Sequence, residues 1–338
     1  MAGALARLVL WPAEAAYSGG MRLRERLYRR GILRSRRLGG TVISVGNLTV
    51  GGTGKTPMVL WLAERLAAEG HRPAVLTRGY HGENSGNGAG ESDADEAALL
   101  RERLGARATI GVGKDRWATG MKLAASGVQW FILDDGFQHL ALKRDIDIVL
   151  LDATAPFGGD HVLPAGRLRE PREGLARADV VVITRAEHDA SVEATVRSVT
   201  RAPIFYARTE LESVTAAAPS FPEMDRRATP VFAFCGIGNP VSFFADLQRW
   251  GFRVADTRTF RDHYRYSAAD LTDVGRAAMA AGAGALICTE KDIFNLRGAG
   301  EPQLPLYAAR IHLRLSDGDA FWNAVGEAIR RNRAESMA

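Results

Sequence analysis

The sequence predicts an α/β fold, a parallel sheet flanked by helices, followed by a second, smaller α/β domain. From Thr41 onward, short apolar runs alternate with helical segments, which is the pattern of parallel strands joined by crossover helices. A glycine-rich turn separates the first apolar run from the first of these helices. A stretch with two prolines and no clear periodicity, residues 209–228, divides the alternating elements into two series.

The elements follow in order from these patterns. In the first series we expect strands at 41–46, 73–77, 129–134, 146–151, 179–184 and 203–207, with helices at 56–69, 95–104, 114–126 and 188–199. In the second series we expect strands at 230–235, 252–257, 284–289 and 306–312, with helices at 240–250, 267–281 and 317–331. The predicted organisation is therefore an N-terminal segment (1–40), a core domain (41–208), a linker (209–228) and a smaller α/β domain (229–338).

The composition is that of an ordinary globular chain. The 338 residues are 46% hydrophobic and 25% charged, which excludes a small scaffold held by disulfides. Two cysteines, Cys235 and Cys288, are too few for a disulfide framework or a four-thiolate zinc site. We expect both to be buried thiols in a reducing compartment.

The positive charge of the chain is concentrated at its N-terminus. The formal net charge is +5, but the first forty residues hold nine arginines against two glutamates, a net of +7, which leaves −2 for the rest. A nucleic-acid partner is therefore not expected, and no obligate protein partner is evident.

The apolar run in the same segment is too short to span a membrane. The run from Ala4 to Trp11 is interrupted by Arg7 and stopped by Pro12, whereas a span needs about 18 residues. No basic region precedes the run, so a cleaved signal peptide is not expected either.

Residues 21–30 predict a basic amphipathic helix. On a helical wheel one half holds Met21, Leu23, Leu27 and Tyr28, and the other holds Arg22, Arg26, Arg29 and Arg30, with Arg24 as the exception. Two interpretations remain open: the helix packs on its own domain with a solvated arginine face, or it lies on an anionic membrane surface.

The glycine-rich turn has the chemistry of a phosphate-binding loop (P-loop). It lies between a predicted strand and a predicted helix, where backbone N–H groups and the helix N-terminus attract phosphate. Lys55 would reach the β- and γ-phosphates of a nucleotide, and the Thr56 hydroxyl would ligate Mg²⁺. Position 49 is threonine where the usual pattern has glycine. The residues assigned to ATP binding are Thr49, Val50, Gly51, Gly52, Thr53, Gly54, Lys55 and Thr56.

Two acids follow a buried strand at the edge where the phosphates would lie. Asp134 and Asp135 end the apolar run 130–133, as expected for carboxylates that organise Mg²⁺. Asp152, at the end of another strand, is expected to serve a turn.

Phosphate transfer also needs a group that receives the proton of the acceptor hydroxyl. The sequence offers the Asp95-Glu96 pair, for which a helix cap is the alternative role, and the Asp262-His263 pair on a loop. Arginines at positions 167 and 169 lie on a predicted loop, and Arg116 lies at the start of the predicted helix 114–126. Guanidinium groups at such places suit phosphate recognition or simple solvation.

Taken in order, these motifs resemble the tetraacyldisaccharide 4′-kinase (lipid A 4′-kinase) family. The segments that carry the resemblance are GNLTVGGTGKTP (46–57), LTRGY (76–80), DE (95–96), DDGFQH (134–139), LPAGRLREP (163–171), FRDHY (260–264) and TEKD (289–292). Threonine at position 49 is usual in this family. One departure is visible, because Ala94 and Ala97 flank the DE pair where the family usually has glycine and proline.

The resemblance implies a function and a set of roles. It implies transfer of the γ-phosphate of ATP to the 4′-hydroxyl of a tetraacyl glucosamine disaccharide 1-phosphate, by a peripheral enzyme at the cytoplasmic face of the bacterial inner membrane. It implies Asp95 and His263 as catalytic residues beside Lys55, and Thr56, Asp134 and Asp135 as Mg²⁺ ligands. Tyr80, Arg116, Arg167 and Arg169 become candidates for substrate binding.

Two other functions are compatible with parts of the sequence. A P-loop GTPase or metal-delivery ATPase would share the phosphate loop, and Thr289-Glu290-Lys291-Asp292 superficially resembles a guanine-reading motif, although its lysine is one position late. A non-catalytic adaptor on a membrane surface would bind nucleotide without turning it over.

Overall fold

The computed structural model describes residues 2–78 and 92–337. The helices are α1 (Ala2–Arg29), α2 (Lys55–Ala68), α3 (Ser92–Leu104), α4 (Arg116–Ala125), α5 (Ala190–Arg197), α6 (Pro240–Arg249), α7 (Ala268–Ala280), α8 (Glu290–Asn295) and α9 (Gly318–Met337). The strands are β1 (Thr41–Asn47), β2 (Ala74–Thr77), β3 (Thr109–Val112), β4 (Trp130–Asp134), β5 (Ile146–Asp152), β6 (Val180–Thr184), β7 (Ile204–Ala216), β8 (Pro230–Cys235), β9 (Arg253–Thr259), β10 (Ala285–Thr289) and β11 (Leu306–Leu315).

The described chain forms two compact units. Unit 1 contains residues 2–78, 103–208 and 313–337, and unit 2 contains residues 92–102 and 209–312. The chain passes from one unit to the other inside α3, β7 and β11.

Unit 1 is built on a parallel sheet with β1 near its centre. The strand order is β3-β2-β4-β1-β5-β6-β7, and each neighbouring pair runs parallel. β1 and β5 are buried along their whole length, as expected for strands covered on both faces. Because the strands are parallel, their carboxyl ends share one edge, which brings together the residues that follow β1, β4, β5 and β6.

The C-terminal helix α9 belongs to unit 1. Phe321 on α9 is fully buried, and its ring packs edge-on against Trp61 of α2 and Phe205 of β7, with ring centroids 5.3 and 5.4 Å away. These aromatic contacts explain why α9 is not part of the smaller unit, although the sequence predicted one domain over 229–338.

Helix α1 also packs on unit 1. The Tyr17 hydroxyl donates to the Arg169 carbonyl (2.8 Å), and the Arg24 guanidinium donates to the Gln138 carbonyl (3.0 Å). Arg24, the exception on the helical wheel, therefore faces protein. Leu23, assigned to the apolar half, is instead 57% exposed, on the side of α1 that carries exposed Arg26 and Arg29.

Unit 2 contains a smaller parallel sheet of order β11-β10-β8-β9. Its helices α7 and α8 begin with capping boxes, in which Ser267 pairs with Asp270 and Thr289 pairs with Asp292. Cys235 and Cys288 are free, buried thiols in its apolar interior, as the sequence predicted.

The α/β fold class is confirmed, and the elements differ from expectation at few places. β3 and the short α8 were not predicted, because four and six residues are too few to establish a periodicity. The predicted linker begins inside a strand, since β7 continues to Ala216. In the described part of the chain, no helix is long and apolar enough to cross a membrane.

The entry to β1 provides a test of the packing. A Cβ atom at Gly40 would lie 2.3 Å from the Gln129 carbonyl oxygen, whereas a Cβ at neighbouring Gly39 would meet nothing within 4 Å. We expect Gly40→Ala to lower the free energy of unfolding by about 1–3 kcal/mol, because backbone must move to accept the methyl group. Gly39→Ala is the matched control in thermal unfolding. Equal transition temperatures for the two variants would contradict the packing described here.

Candidate functional site

The phosphate loop connects β1 to α2 and turns at two glycines. Gly51 has a φ of 116°, and Gly54, the N-cap of α2, has a φ of 89°. Residues other than glycine rarely adopt this region of positive φ. α2 then starts at Lys55, so its free N–H groups lie at the end of the loop. This is the strand–loop–helix arrangement that the sequence predicted for phosphate binding.

The first half of the loop is bonded to the segment 167–169. Val50 N–H donates to the Arg167 carbonyl (2.8 Å), and Arg169 N–H donates to the Leu48 carbonyl (2.7 Å). The Arg167 side chain also donates to the Val50 carbonyl (2.9 Å). The LPAGRLREP motif therefore forms one wall of the phosphate loop.

Residues at the end of β6 brace the second half of the loop by donating hydrogen bonds to its carbonyl groups. The Thr184 hydroxyl donates to the Thr53 carbonyl (3.1 Å), and the Arg185 guanidinium donates to the Gly52 carbonyl (3.1 Å). Arg185 is itself paired with Asp152 and has a left-handed backbone, with φ of 65°. The sequence did not predict the roles of Thr184 and Arg185. For Asp152 it predicted only a role in a turn, and the hydrogen bonds that Asp152 accepts from Thr154 show that role as well.

The two predicted Mg²⁺ acids lie where β4 ends. Asp134 is 5% exposed and is the β4 neighbour of Val45 on β1. Asp135 has φ of 50° and accepts from Arg169 Nη1 at 2.8 and 2.6 Å, with Lys55 Nζ 3.5 Å from its Oδ1. Burial alone would raise the pKa of Asp135, but the charges of Lys55 and Arg169 outweigh it and lower this pKa to about 2. Asp135 is therefore ionised and can serve as an oxygen ligand.

The predicted substrate residues fall in different environments. Arg116 is buried and donates to the Asp134 carbonyl (3.0 Å). Arg167 is exposed, and Arg169 is half-buried beside Asp135. Tyr80 lies outside the described residues.

A second polar cluster lies in unit 2. Lys291 Nζ is 3.2 Å from Glu96 Oε1, 3.3 Å from His263 Nε2 and 3.8 Å from Asp262 Oδ1. Asp95 is in α3, but its side chain lies outside the described residues. Lys291 was not assigned a catalytic or binding role from the sequence, although the TEKD motif contains it.

The TEKD motif is not available to read a nucleotide base. Asp292 is 0% exposed, and its carboxylate accepts from Gly236 N–H (2.8 Å), Tyr266 Oη (2.8 Å) and Thr289 Oγ1 (2.5 Å). A guanine-reading aspartate must be open to the base. The GTPase alternative is therefore not favoured.

Comparisons with known proteins agree with these observations. The family model of tetraacyldisaccharide-1-P 4′-kinase (LpxK) matches residues 6–330. The tetraacyldisaccharide 4′-kinase of Desulfotalea psychrophila is 38% identical over 324 residues, which is 90% of this chain and 92% of that protein. That of Pelobacter propionicus is 37% identical over 96% of this chain and 92% of its own length.

A solved structure has the same fold along nearly the whole chain. It is the "apo" form of LpxK from Aquifex aeolicus in complex with ATP, with a TM-score of 0.71 and 28% identity, covering 96% of this chain and 99% of that one. The resemblance found in the motifs is confirmed, and the chain belongs to the tetraacyldisaccharide-1-P 4′-kinase family.

Proposed function

We propose that this protein transfers the γ-phosphate of ATP to the 4′-hydroxyl of a tetraacyl glucosamine disaccharide 1-phosphate. The observation that carries the proposal is the braced phosphate loop, with Lys55 and ionised Asp135 3.5 Å apart, in a chain matched by the family over residues 6–330. Kinase activity also follows from the curated relatives, which are named for this reaction.

ATP would bind with its phosphates on residues 49–56. The N–H groups of the loop and the N-terminus of α2 provide donors for phosphate oxygens, and Lys55 provides a positive charge. That charge stabilises the negative charge shared by the phosphate oxygens during transfer.

Thr56, Asp134 and Asp135 would hold Mg²⁺. Mg²⁺ prefers hard oxygen ligands and is commonly bound by one or two carboxylates together with substrate phosphates and water. Buried Asp134 and ionised Asp135 at the end of β4 fit that preference. When bound, the ion would neutralise phosphate charge. Among the side chains that the structure describes, no group of three or more His, Cys, Asp or Glu residues is placed to hold a metal ion.

Asp95 and His263 are proposed to manage the proton of the 4′-hydroxyl. During transfer, the hydroxyl oxygen bonds to the γ-phosphorus, the bond from that phosphorus to the β–γ bridging oxygen breaks, and ADP leaves with the electron pair. The hydroxyl proton passes to the carboxylate of Asp95, while His263 orients or assists.

Arginines and Tyr80 are proposed to recognise the sugar and its 1-phosphate. Guanidinium carries five N–H donors, so Arg167 and Arg169 keep donors beyond those bonded to Val50 and Asp135. Buried Arg116, bonded at the Asp134 carbonyl, is better suited to placing Asp134.

The substrate also places the enzyme at a membrane. Withdrawing acyl chains from a bilayer costs about 0.8 kcal/mol per methylene, so the kinase must work at the surface. We propose that exposed Trp11 and Leu23, with Arg26, Arg29 and Arg30, bind the anionic cytoplasmic face of the inner membrane. Helix α1 would then pack on unit 1 with one side and lie on the membrane surface with its arginine side.

The reaction is tested with labelled ATP and the tetraacyl disaccharide 1-phosphate. We expect label in the lipid, none with a lipid-free sugar alone, and much less with GTP. Nucleotide binding without label on the glycolipid would support the adaptor instead.

Removal of the positive charge of Lys55 should slow the reaction strongly. We expect Lys55→Met to lower kcat about 10²–10³-fold, because the ammonium stabilises charge in the transition state. Lys122→Met, at an exposed lysine of α4, is the matched control and should match wild type. Full activity of Lys55→Met would remove the phosphate loop from the mechanism.

The brace at the end of β6 should control nucleotide affinity. We expect Arg185→Ala to raise the Kd for ATP about tenfold or more, because the Gly52 carbonyl loses a charged donor and Asp152 loses its ion pair with Arg185. Titration calorimetry measures this, with Arg201→Ala at an exposed arginine of unit 1 as control. A Kd for Arg185→Ala within twofold of wild type is inconsistent with a brace.

The exposed arginines at the end of α1 and directly after it should govern vesicle binding. Each cation near an anionic surface contributes about 1 kcal/mol, so a triple change of Arg26, Arg29 and Arg30 to Gln should weaken co-sedimentation with phosphatidylglycerol-containing vesicles about 100-fold. A triple Gln variant of exposed Arg226, Arg227 and Arg276 in unit 2 is the control. Equal sedimentation of both triple variants would return the α1 arginines to a solvated face.

A further inference from the structure

The described polar cluster of unit 2 has one part on α3 (Glu96) and one part on the loop after β9 (Asp262 and His263). Lys291 on α8 is the only described member of the cluster that contacts both parts. Its ammonium reaches Glu96 on α3 (3.2 Å) and His263 on the loop after β9 (3.3 Å). Glu96 directly follows Asp95, and His263 is the other residue proposed to manage the acceptor proton. One cation therefore connects the two places in the sequence that carry that chemistry.

The start of helix α8 fixes the position of Lys291. Lys291 is the second residue of α8, and the capping box of Thr289 and Asp292 sets where that helix starts. The buried Asp292 carboxylate also accepts from Gly236 N–H, directly after β8, and from Tyr266 Oη, near the end of the His263 loop. Asp292 therefore joins the helix that carries Lys291 to the loop that carries His263.

The His263 loop is further fixed by its own backbone. His263 N–H donates to the Gly236 carbonyl (3.1 Å), and Phe260 N–H donates to the Cys235 carbonyl (2.9 Å). His263 has a left-handed φ of 57°, which a residue other than glycine adopts at a cost of about 1–2 kcal/mol. Such a conformation persists where surrounding contacts determine it, often at functional sites.

The contact between Lys291 and His263 determines which imidazole nitrogen carries the proton. An ammonium group has donors only, so Nε2 must accept with its lone pair. The proton of the neutral ring is then on Nδ1. Nδ1 is buried and has no hydrogen-bond partner among the described residues, so its N–H remains available as a donor. Asp262 Oδ1, at 3.8 Å from Nε2, is too far to be a hydrogen-bond partner of that nitrogen.

We propose that Lys291 is a positioning residue for phosphate transfer, which holds His263 as the Nδ1–H tautomer and joins it to the start of α3 through Glu96. His263 then acts by donating a hydrogen bond from Nδ1, and its Nε2 is not the base. The role of this arrangement in turnover rests on the proposed function, whereas the tautomer does not.

The experiment compares Lys291→Met, which removes the ammonium and keeps the side-chain length, with Lys291→Arg, which keeps the charge. Arg297→Met, at an exposed cation just beyond α8, is the matched control. ¹⁵N spectra of histidine-labelled full-length protein at pH 8 identify the tautomer, with His263 assigned from its loss in His263→Gln. Thermal unfolding and ATP affinity establish that each variant is folded.

We expect the Nδ1–H tautomer of His263 in wild type and in Arg297→Met, and a shift toward Nε2–H in Lys291→Met. We expect kcat of Lys291→Met to fall about tenfold or more with the KM for ATP within about twofold of wild type, because the phosphate loop is unchanged. Lys291→Arg should recover most of the loss in kcat.

Two results would overturn the proposal: an unchanged tautomer in Lys291→Met, or a shifted tautomer with normal kcat. If wild type transfers no phosphate to the disaccharide lipid, the proposed function fails, and the spectra still decide the tautomer.

Discussion

A phosphate loop works only if its N–H groups face the ligand, and this requires partners for the carbonyls on its outer side. In this protein the carbonyls of Gly52 and Thr53 accept from Arg185 and Thr184, and Val50 is paired on both its N–H and its carbonyl with Arg167. Parallel strand order makes this possible, because β5 and β6 end on the same edge as β1. The conformation of the loop is therefore held by residues that lie outside the loop.

In each unit, one charged side chain contacts two polar partners at once. In unit 1, Asp135 lies between Lys55 and Arg169, and these two cations keep it ionised despite its burial. In unit 2, Lys291 lies between Glu96 and His263. In unit 1 the two cations set the charge state of Asp135, and in unit 2 the ammonium contacts Nε2 of His263 and fixes how that ring is placed.

The sequence was sufficient for the fold class, for all but one of the described strands and for the phosphate loop. Apolar strands and glycines at required left-handed positions leave local signals, as at Gly51 and Gly54. The contact of Arg185 with the phosphate loop and the contact of Lys291 with Glu96 left no local signal in the sequence, because each contact depends on which distant segments meet. Arg185 reaches a carbonyl 133 positions away along the chain, and Lys291 reaches an acid 195 positions away. The placement of α9 in unit 1 was missed for the same reason, because long-range packing decides it. The short α8 was missed because six residues are too few to establish a periodicity.

We propose that the braced loop of unit 1 and the cluster around Lys291 in unit 2 serve one reaction, which adds a phosphate to the acylated disaccharide. This proposal is best tested by ³¹P NMR of the lipid product formed from ATP and the tetraacyl disaccharide 1-phosphate. We expect a second phosphomonoester signal that couples to the 4′ proton of the sugar, with ADP formed in equal amount. Release of inorganic phosphate with an unchanged lipid, or a new phosphate at another position, would contradict it.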